Sequence, residues 1–335
     1  MRDHLRIFTA TAIGHFANDG TFLLFPLFIV YYMKVPGVSL SILGTMAILY
    51  QLLSALVSPK IGKYADRYGK IGRLMSLGIA LEATSILIFG IAFILHSSYI
   101  YIVIAAGAVL LGLGQAFYHP IGGALLTMAF KNKAPKYMGI NGSMGSIGRT
   151  LMPAVVTAFV AVLGMSVGVS LFSLIFFGLA AAIFISLNIG KPYRMLAVQS
   201  PNHAIRKERS SKATRLGASV YKLTASLFFK SAFLTGTVTF IGAYMYLVYS
   251  ASAAIVGIFL SVTFLPAILG QYAFGILTER YGNRSMFSLT TILMVLFFLL
   301  FLLSNNIYVA SLLYSSLCTR RFYSVSDIYE LFIKT

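Results

Sequence analysis

Long apolar runs alternate with short polar turns along most of the chain. Runs near 7–32, 40–58, 74–95, 99–129, 138–163, 167–189, 219–248, 252–277 and 286–303 each approach or exceed the ~20 residues that a helix needs to cross a hydrocarbon core of ~30 Å. The pattern predicts nine transmembrane helices and an all-α, polytopic fold. A tenth run, "IYVASLLYSSLC" from Ile307, is too short to span comfortably before Arg320 and Arg321 break it. The first run lacks a short apolar core followed by a small-residue cleavage site, so it is expected to act as its own insertion signal.

Composition supports a membrane protein: 59% of the 335 residues are hydrophobic and only 10% are charged, with a mean hydropathy of +0.87. The single cysteine, Cys318, allows no internal disulfide, and zinc-type ligand spacing is absent. No metal and no cofactor is expected.

The net charge of +18 raises the question of nucleic acid, and the placement of the charges answers it. With the N-terminus inside, 23 of the 26 Lys and Arg residues fall in inner segments; Lys34 alone lies outside, and Arg149 and Lys230 lie within spans. The outer connections "HSS", "GMSVG", "YSAS" and "SNN" carry none. Such asymmetry sets topology, predicting a cytoplasmic N-terminus in a plasma-membrane protein. Nucleic-acid binding would need a basic face on a soluble module, and no such module is present. The polar stretch containing "HAIRKERSSK" reads as a cytoplasmic linker over 190–218, between a six-helix bundle at 1–189 and a second bundle at 219–335. Contact with anionic membrane lipids is its expected extra role.

The turn after the second run, "GKYADRYGKIGR" from Gly62, has an echo 213 residues later in "GILTERYGNR" from Gly275. Asp66, Arg67, Tyr68 and Gly69 correspond to Glu279, Arg280, Tyr281 and Gly282. A basic inner loop needs neither the acid nor the repeat, so the spacing points to two related bundles whose acid-arginine turns latch an inner gate. Gly62, Asp66, Arg67, Gly69 and Lys70 resemble the G-x-x-x-D-R-x-G-[KR] signature of the major facilitator superfamily. "HFAND" in the first run and "GQAFYHP" in the fourth are similar to its fosmidomycin-resistance branch. The resemblance implies two bundles built from inverted repeats, and secondary transport by alternating access. It also implies twelve spans, so this chain is expected to be truncated in its second bundle, with weak or no transport alone unless another polypeptide completes it.

Ionisable residues inside a span normally face a cavity or a partner. His15, Asn18 and Asp19 share one helix face near mid-depth, where a carboxylate can exchange a proton that a neighbouring histidine shares. The alternative is an internally satisfied packing cluster. His119 precedes Pro120, which should kink the fourth helix and free a carbonyl. Arg149 follows a stripe of glycines, 139, 142, 145 and 148, that reads as helix packing. The arginine needs an acid such as Asp19 or Glu82, or an anionic ligand. Lys230 sets a second cation in the other bundle, so the two together suggest an anionic or phosphonate-like small solute, with protons as coupling ion. Pro153 meets only part of the antiporter proline motif, and the arginine expected in the fourth span is missing from "LLGLGQ"; both departures weigh against drug/proton antiport. Tyr31, Tyr32, Tyr99 and Tyr101 are expected as interfacial anchors, and "FIGAYMYLVY" as packing or substrate-stacking aromatics.

An intramembrane enzyme would show a nucleophile with its base or a metal-binding helix, and there is no GxSxG and no HExxH. A channel would present a ring of like groups. A non-transporting or degenerate membrane protein is the remaining alternative.

Overall fold

The computed structural model describes residues 2–95, 99–188 and 218–318, and these are helical almost throughout. The first run forms α1 (Arg2–Gly20) and α2 (Leu24–Tyr32), joined by a 3₁₀ turn over Thr21–Leu23. Then follow α3 (Leu40–Tyr68), α4 (Ile71–Ala92), α5 (Tyr99–Phe130), α6 (Ala134–Leu163), α7 (Met165–Asn188), α8 (Ala218–Val248), α9 (Ala253–Tyr281), α10 (Asn283–Leu303) and α11 (Ile307–Cys318). Seven stretches of described helix are long and apolar enough to cross a membrane; one of them, Tyr99–Leu163, holds both α5 and α6. Each expected run thus has its helix, and the short tenth run forms α11. The linker and the residues beyond Cys318 lie outside the described residues.

The break in the first span has a local cause. Pro26 has no N–H to donate, and its ring crowds the carbonyl four residues back, at Phe22, inside the Thr21–Leu23 turn. Pro120 and Pro153, by contrast, sit within continuous helices.

The charged turn differs from its expected form. Helix α3 continues to Tyr68, so Lys63, Asp66 and Arg67 ride on its last two turns, and the connection to α4 is Gly69 and Lys70 alone. Gly69 ends the helix with φ +60°, its N–H bonded to the Ala65 carbonyl at 2.9 Å. Gly282 has φ +80° between α9 and α10. Both copies of the repeat therefore use glycine where an L side chain is disfavoured. Arg67 lies over Tyr68 and Arg280 over Tyr281, at 5.3 and 5.4 Å from the ring centroids.

In the first group, α4 packs against α5 and α7, α3 against α5, and α1 against α6. The second group meets it through α9 on α6 and α8 on α2. Small residues set these approaches. A Cβ on Gly44 would lie 2.6 Å from Phe240, and one on Gly242 would lie 3.1 Å from Val30. A Cβ on Gly257 would collide with Thr157. The Ser261 hydroxyl accepts from the Ala154 N–H at 2.9 Å. All these cross-group contacts lie in the half of the spans away from the basic turns.

Tyr31 and Tyr32 are core residues rather than interfacial anchors. Tyr32 is fully buried and donates to the Phe89 carbonyl at 2.7 Å; Tyr31 shares a hydrogen bond with Thr157 at 3.1 Å. Tyr99 remains exposed, and the Tyr101 hydroxyl accepts from the Ser39 N–H at 2.8 Å. In "FIGAYMYLVY", Tyr244 packs on Tyr249 and Phe301 within the second group.

Of the glycine stripe on α6, Gly145 and Gly148 lie against α1, whereas Gly139 faces open space. A methyl group at 148 would meet the Phe16 carbonyl oxygen. Gly148→Ala should therefore destabilise the protein by about 1–3 kcal/mol, and Gly139→Ala should not. Unfolding of the two variants in lipid nanodiscs checks this.

Candidate functional site

Asp19 is the next-to-last residue of α1, directly before Gly20 and the 3₁₀ turn, and is 3% exposed. A fully desolvated carboxylate requires compensation, and α6 supplies it. Arg149 Nη2 donates to Asp19 Oδ2 at 2.5 Å, with the two side chains 12% and 4% exposed. The approach depends on the absence of a side chain at Gly145, where a Cβ would lie 2.5 Å from Asp19 Oδ2 and 2.6 Å from the His15 ring. Arg149 also lies over the Phe22 ring, 5.5 Å from its centroid.

Three further groups meet the same carboxylate. His15 Nε2 is 3.1 Å from Oδ2, His119 Nε2 is 3.4 Å from Oδ1, and the Asn18 amide donates to Oδ1 at 3.3 Å. His15, Asn18, Asp19, His119 and Arg149 thus form one cluster. His119, with a side chain 60% exposed, is its open side.

Hydrogen-bond accounting indicates the state of His15. Its Nδ1 is 2.7 Å from Asn141 Oδ1, and the Tyr118 hydroxyl lies 2.6 Å from that oxygen and 2.9 Å from the Thr11 carbonyl. The buried Asn141 Nδ2 is left with no partner among the described residues. Exchanging the amide O and N pairs Nδ2 with His15 Nδ1 and with Tyr118, whose single proton goes to Thr11, and leaves only the neutral amide oxygen without a partner among the described residues. His15 is then neutral and donates from Nε2 to Asp19. The unexchanged amide would demand a proton on both ring nitrogens. Asn141 orientation and His15 charge are therefore linked.

Behind Asp19, the Thr21 hydroxyl donates to the Asn18 carbonyl at 2.8 Å, accepts from Gln115 at 3.0 Å, and lies 3.4 Å from Glu82 Oε2. Glu82 is fully buried in α4 and does not pair with Arg149, which takes Asp19.

Lys230 is placed elsewhere. It donates to Thr290 and Thr291 of α10 at 3.2 and 3.1 Å and sits 4.5 Å from the Phe287 ring centroid. Asp66, Arg67 and Lys70 are exposed, Gly62 and Gly69 half-buried, and Asp66 makes no ion pair among the described residues. Arg280 and Gly282 are exposed, while the Glu279 side chain lies outside the described residues.

Asn141, Tyr118, Gln115 and Thr21 are site residues that the sequence reading passed over. Helical spacing could have found them: 141, 145 and 149 share one face of α6, as do 115, 118 and 119 on α5. His15, Asp19 and His119 present three ligand atoms within 4.8 Å of one another. The guanidinium already occupies the position at Asp19 that a cation would take.

Removing Arg149 strands a buried charge. Arg149→Leu should destabilise by about 3–5 kcal/mol, and adding Asp19→Asn should recover most of that loss. A double-mutant cycle on unfolding in nanodiscs measures both; additive losses would mean the pair does not stabilise the fold.

Known proteins share this arrangement of helices. A bacterial homologue of the human lysosomal transporter Spinster, in an inward-facing, unoccupied conformation, superposes with a TM-score of 0.68 at 13% identity, covering 98% of this chain and 74% of that one. A bacterial homologue of the iron transporter ferroportin, inward-facing, gives 0.65 at 15% identity, covering 98% and 83%. At these identities the likeness shows the fold alone. In sequence, the uncharacterized MFS-type transporter YfnC of Bacillus subtilis (strain 168) is 23% identical over 279 residues, covering 81% of this chain; the chain spans 65% of the length of that relative. Residues 10–319 match the Major Facilitator Superfamily. With the helix order, the repeated acid-arginine turn and this match in agreement, the chain belongs to the major facilitator superfamily, as a multi-pass membrane protein.

Proposed function

We propose that the protein is a proton-coupled secondary transporter of a small anionic solute, working by alternating access, in the plasma membrane with its N-terminus in the cytoplasm. Residues 1–189 and 219–335 are the two rocking bundles, and 190–218 is the linker between them. The observation that carries this reading is the buried Asp19–Arg149 pair, with His15 and exposed His119 on the same carboxylate. Its chemistry is a competition. While Asp19 is ionised it holds the guanidinium; once Asp19 and His15 accept a proton, Arg149 is released to bind an anion such as a carboxylate or phosphonate. Proton and solute are then bound together, which is the requirement for coupling. Lys230, held by threonines across the second group, is a further cationic contact on the pathway after rearrangement.

The positions of the contacts support an inward-open state. Cross-group packing at Gly44, Gly242, Gly257 and Ser261 seals the end away from the basic turns. At the other end Asp66 and Arg67 are exposed, as a disengaged latch would be. Both structural neighbours were captured inward-facing. "HFAND" and "GQAFYHP", the motifs shared with the fosmidomycin-resistance branch, supply His15, Asn18, Asp19, Tyr118 and His119, so phosphonates are the first solutes to try.

The test is flux into proteoliposomes under an imposed pH gradient, with phosphonates and small organic anions as probes. Wild-type flux should follow the gradient. Asp19→Asn, a mimic of the protonated acid, should lose that response while retaining solute-for-solute exchange. Wild-type flux that ignores the gradient and survives Asp19→Asn unchanged would overturn the reading.

A further inference from the structure

Glu82 is a carboxyl group for which the ion-pair chemistry above has no use. It lies midway along α4, 0% exposed. Two glycines bring the surrounding backbone onto it: a Cβ on Gly114 would stand 2.7 Å from Glu82 Cγ and 2.8 Å from the Gly78 carbonyl oxygen. That packing holds the Glu82 stem between α4 and α5. Among the described residues no Lys, Arg or His comes within 4 Å of its carboxyl oxygens, and Oε1 has no hydrogen-bond partner. Its one polar contact among the described residues is Thr21 Oγ1, at 3.4 Å from Oε2.

The Thr21 hydroxyl has one proton, and the 2.8 Å contact with the Asn18 carbonyl uses it. With Gln115 donating to Thr21 at 3.0 Å, the lone pair that remains can only accept. An ionised Glu82 would therefore be a buried anion with neither donor nor counter-ion, the least tolerable state for such a group. A neutral Glu82 removes the buried charge and turns its own O–H toward Thr21, leaving only a neutral carbonyl oxygen, Oε1, without a partner among the described residues. On the helices packed against α4, α7 has no titratable residue. On α5 they are Tyr99, Tyr101, Tyr118 and His119, and on α1 they are Arg2, Asp3, His4, Arg6, His15 and Asp19. The closest acid along this network is Asp19, two residues before Thr21 and already neutralised by Arg149.

We infer that Glu82 is a second proton-binding site, which holds an exchangeable proton as a neutral acid and is coupled to Asp19 by charge. Loss of that proton to solvent places a second anion in a core with a single guanidinium. The cluster then favours a proton on Asp19 or a different arrangement of α1 against α4. The presence of the proton stands on the geometry above; its part in coupling rests on the proton-coupled reading.

Infrared difference spectroscopy of the full chain in nanodiscs tests the site directly. At neutral pH the wild type should show the carbonyl band of a protonated carboxylic acid. That band should be lost in Glu82→Gln, shifted in Glu82→Asp and retained in Asp19→Asn. A spectrum without the band, or one in which the band survives both Glu82 substitutions, overturns the inference. Thermal unfolding of Glu82→Gln should match the wild type, because an amide replaces a neutral acid; a large loss would mean an anion with an unseen partner, and would also overturn it. In proteoliposomes Glu82→Gln should cut gradient-driven flux by about tenfold or more; wild-type flux rates in that variant would remove Glu82 from coupling. Should the wild type move no solute at all, the transport reading fails while the band still decides the protonation of Glu82.

Discussion

A carboxylate and a guanidinium buried face to face in the middle of a helical bundle constrain everything around them. Both ions have lost most of their hydration, so each is tolerable only while the other stays within hydrogen-bonding distance. That distance, 2.5 Å between Asp19 and Arg149, has to be maintained by helix packing. The glycines at 145 and 148 allow α6 to lie against α1 closely enough for the arginine to reach. A methyl group at 148 would meet the α1 backbone, and one at 145 would displace the Asp19 carboxylate and the His15 ring. The small-residue stripe and the ion pair are thus two aspects of a single contact.

The same pair sits beside the weakest point of the first span. Backbone hydrogen bonding changes register at Thr21–Leu23, one residue beyond Asp19 and Gly20, because Pro26 interrupts the helix four residues on. A break next to a buried charge lets α1 and α2 respond separately. Helix α1 carries the charge cluster, whereas α2 packs on α8 across the boundary between the two groups. A change in the charge of Asp19 or His15 is therefore well placed to alter that boundary without unfolding either helix.

The order of the spans was legible in the sequence, because apolar length decides whether a segment can leave water, but the break of the first span into α1 and α2 was not. His15, Asn18, Asp19 and Arg149 were legible for a related reason: an ionisable group in an apolar run has few places to go. What the runs did not reveal was how polar but uncharged residues complete the site. Asn141 and Tyr118 determine the hydrogen bonding of His15, yet neither stands out in a chain with 20 tyrosines. Glu82 was visible but could be assigned a partner only once α1, α4 and α6 were in place. Tyr31 and Tyr32 misled because their position at the end of a run suits an interfacial anchor. Burial against Phe89 and Thr157 reflects tertiary packing that hydropathy does not encode. The threonine partners of Lys230 on α10 were not legible, because depth along a span says nothing of which side of the helix faces a given neighbour.

The two ends of the molecule differ in how they hold together, and the difference bears on how a single charge could move large bodies. At the end away from the basic turns, close packing around Gly44, Gly242 and Gly257, with the Ser261 hydrogen bond, is uncharged and short-ranged, so a small displacement forfeits most of its contact energy. At the other end the acid-arginine turns carry charges whose pairing is longer-ranged and weakened by water. On the alternating-access reading proposed above, closure by dispersion at one end and by ion pairs at the other gives two distinct closed arrangements rather than a continuum, and a proton at Asp19 supplies only the difference between them. That difference is bounded by the ion pair itself, because no binding event can shift an equilibrium by more than its preference between the two states.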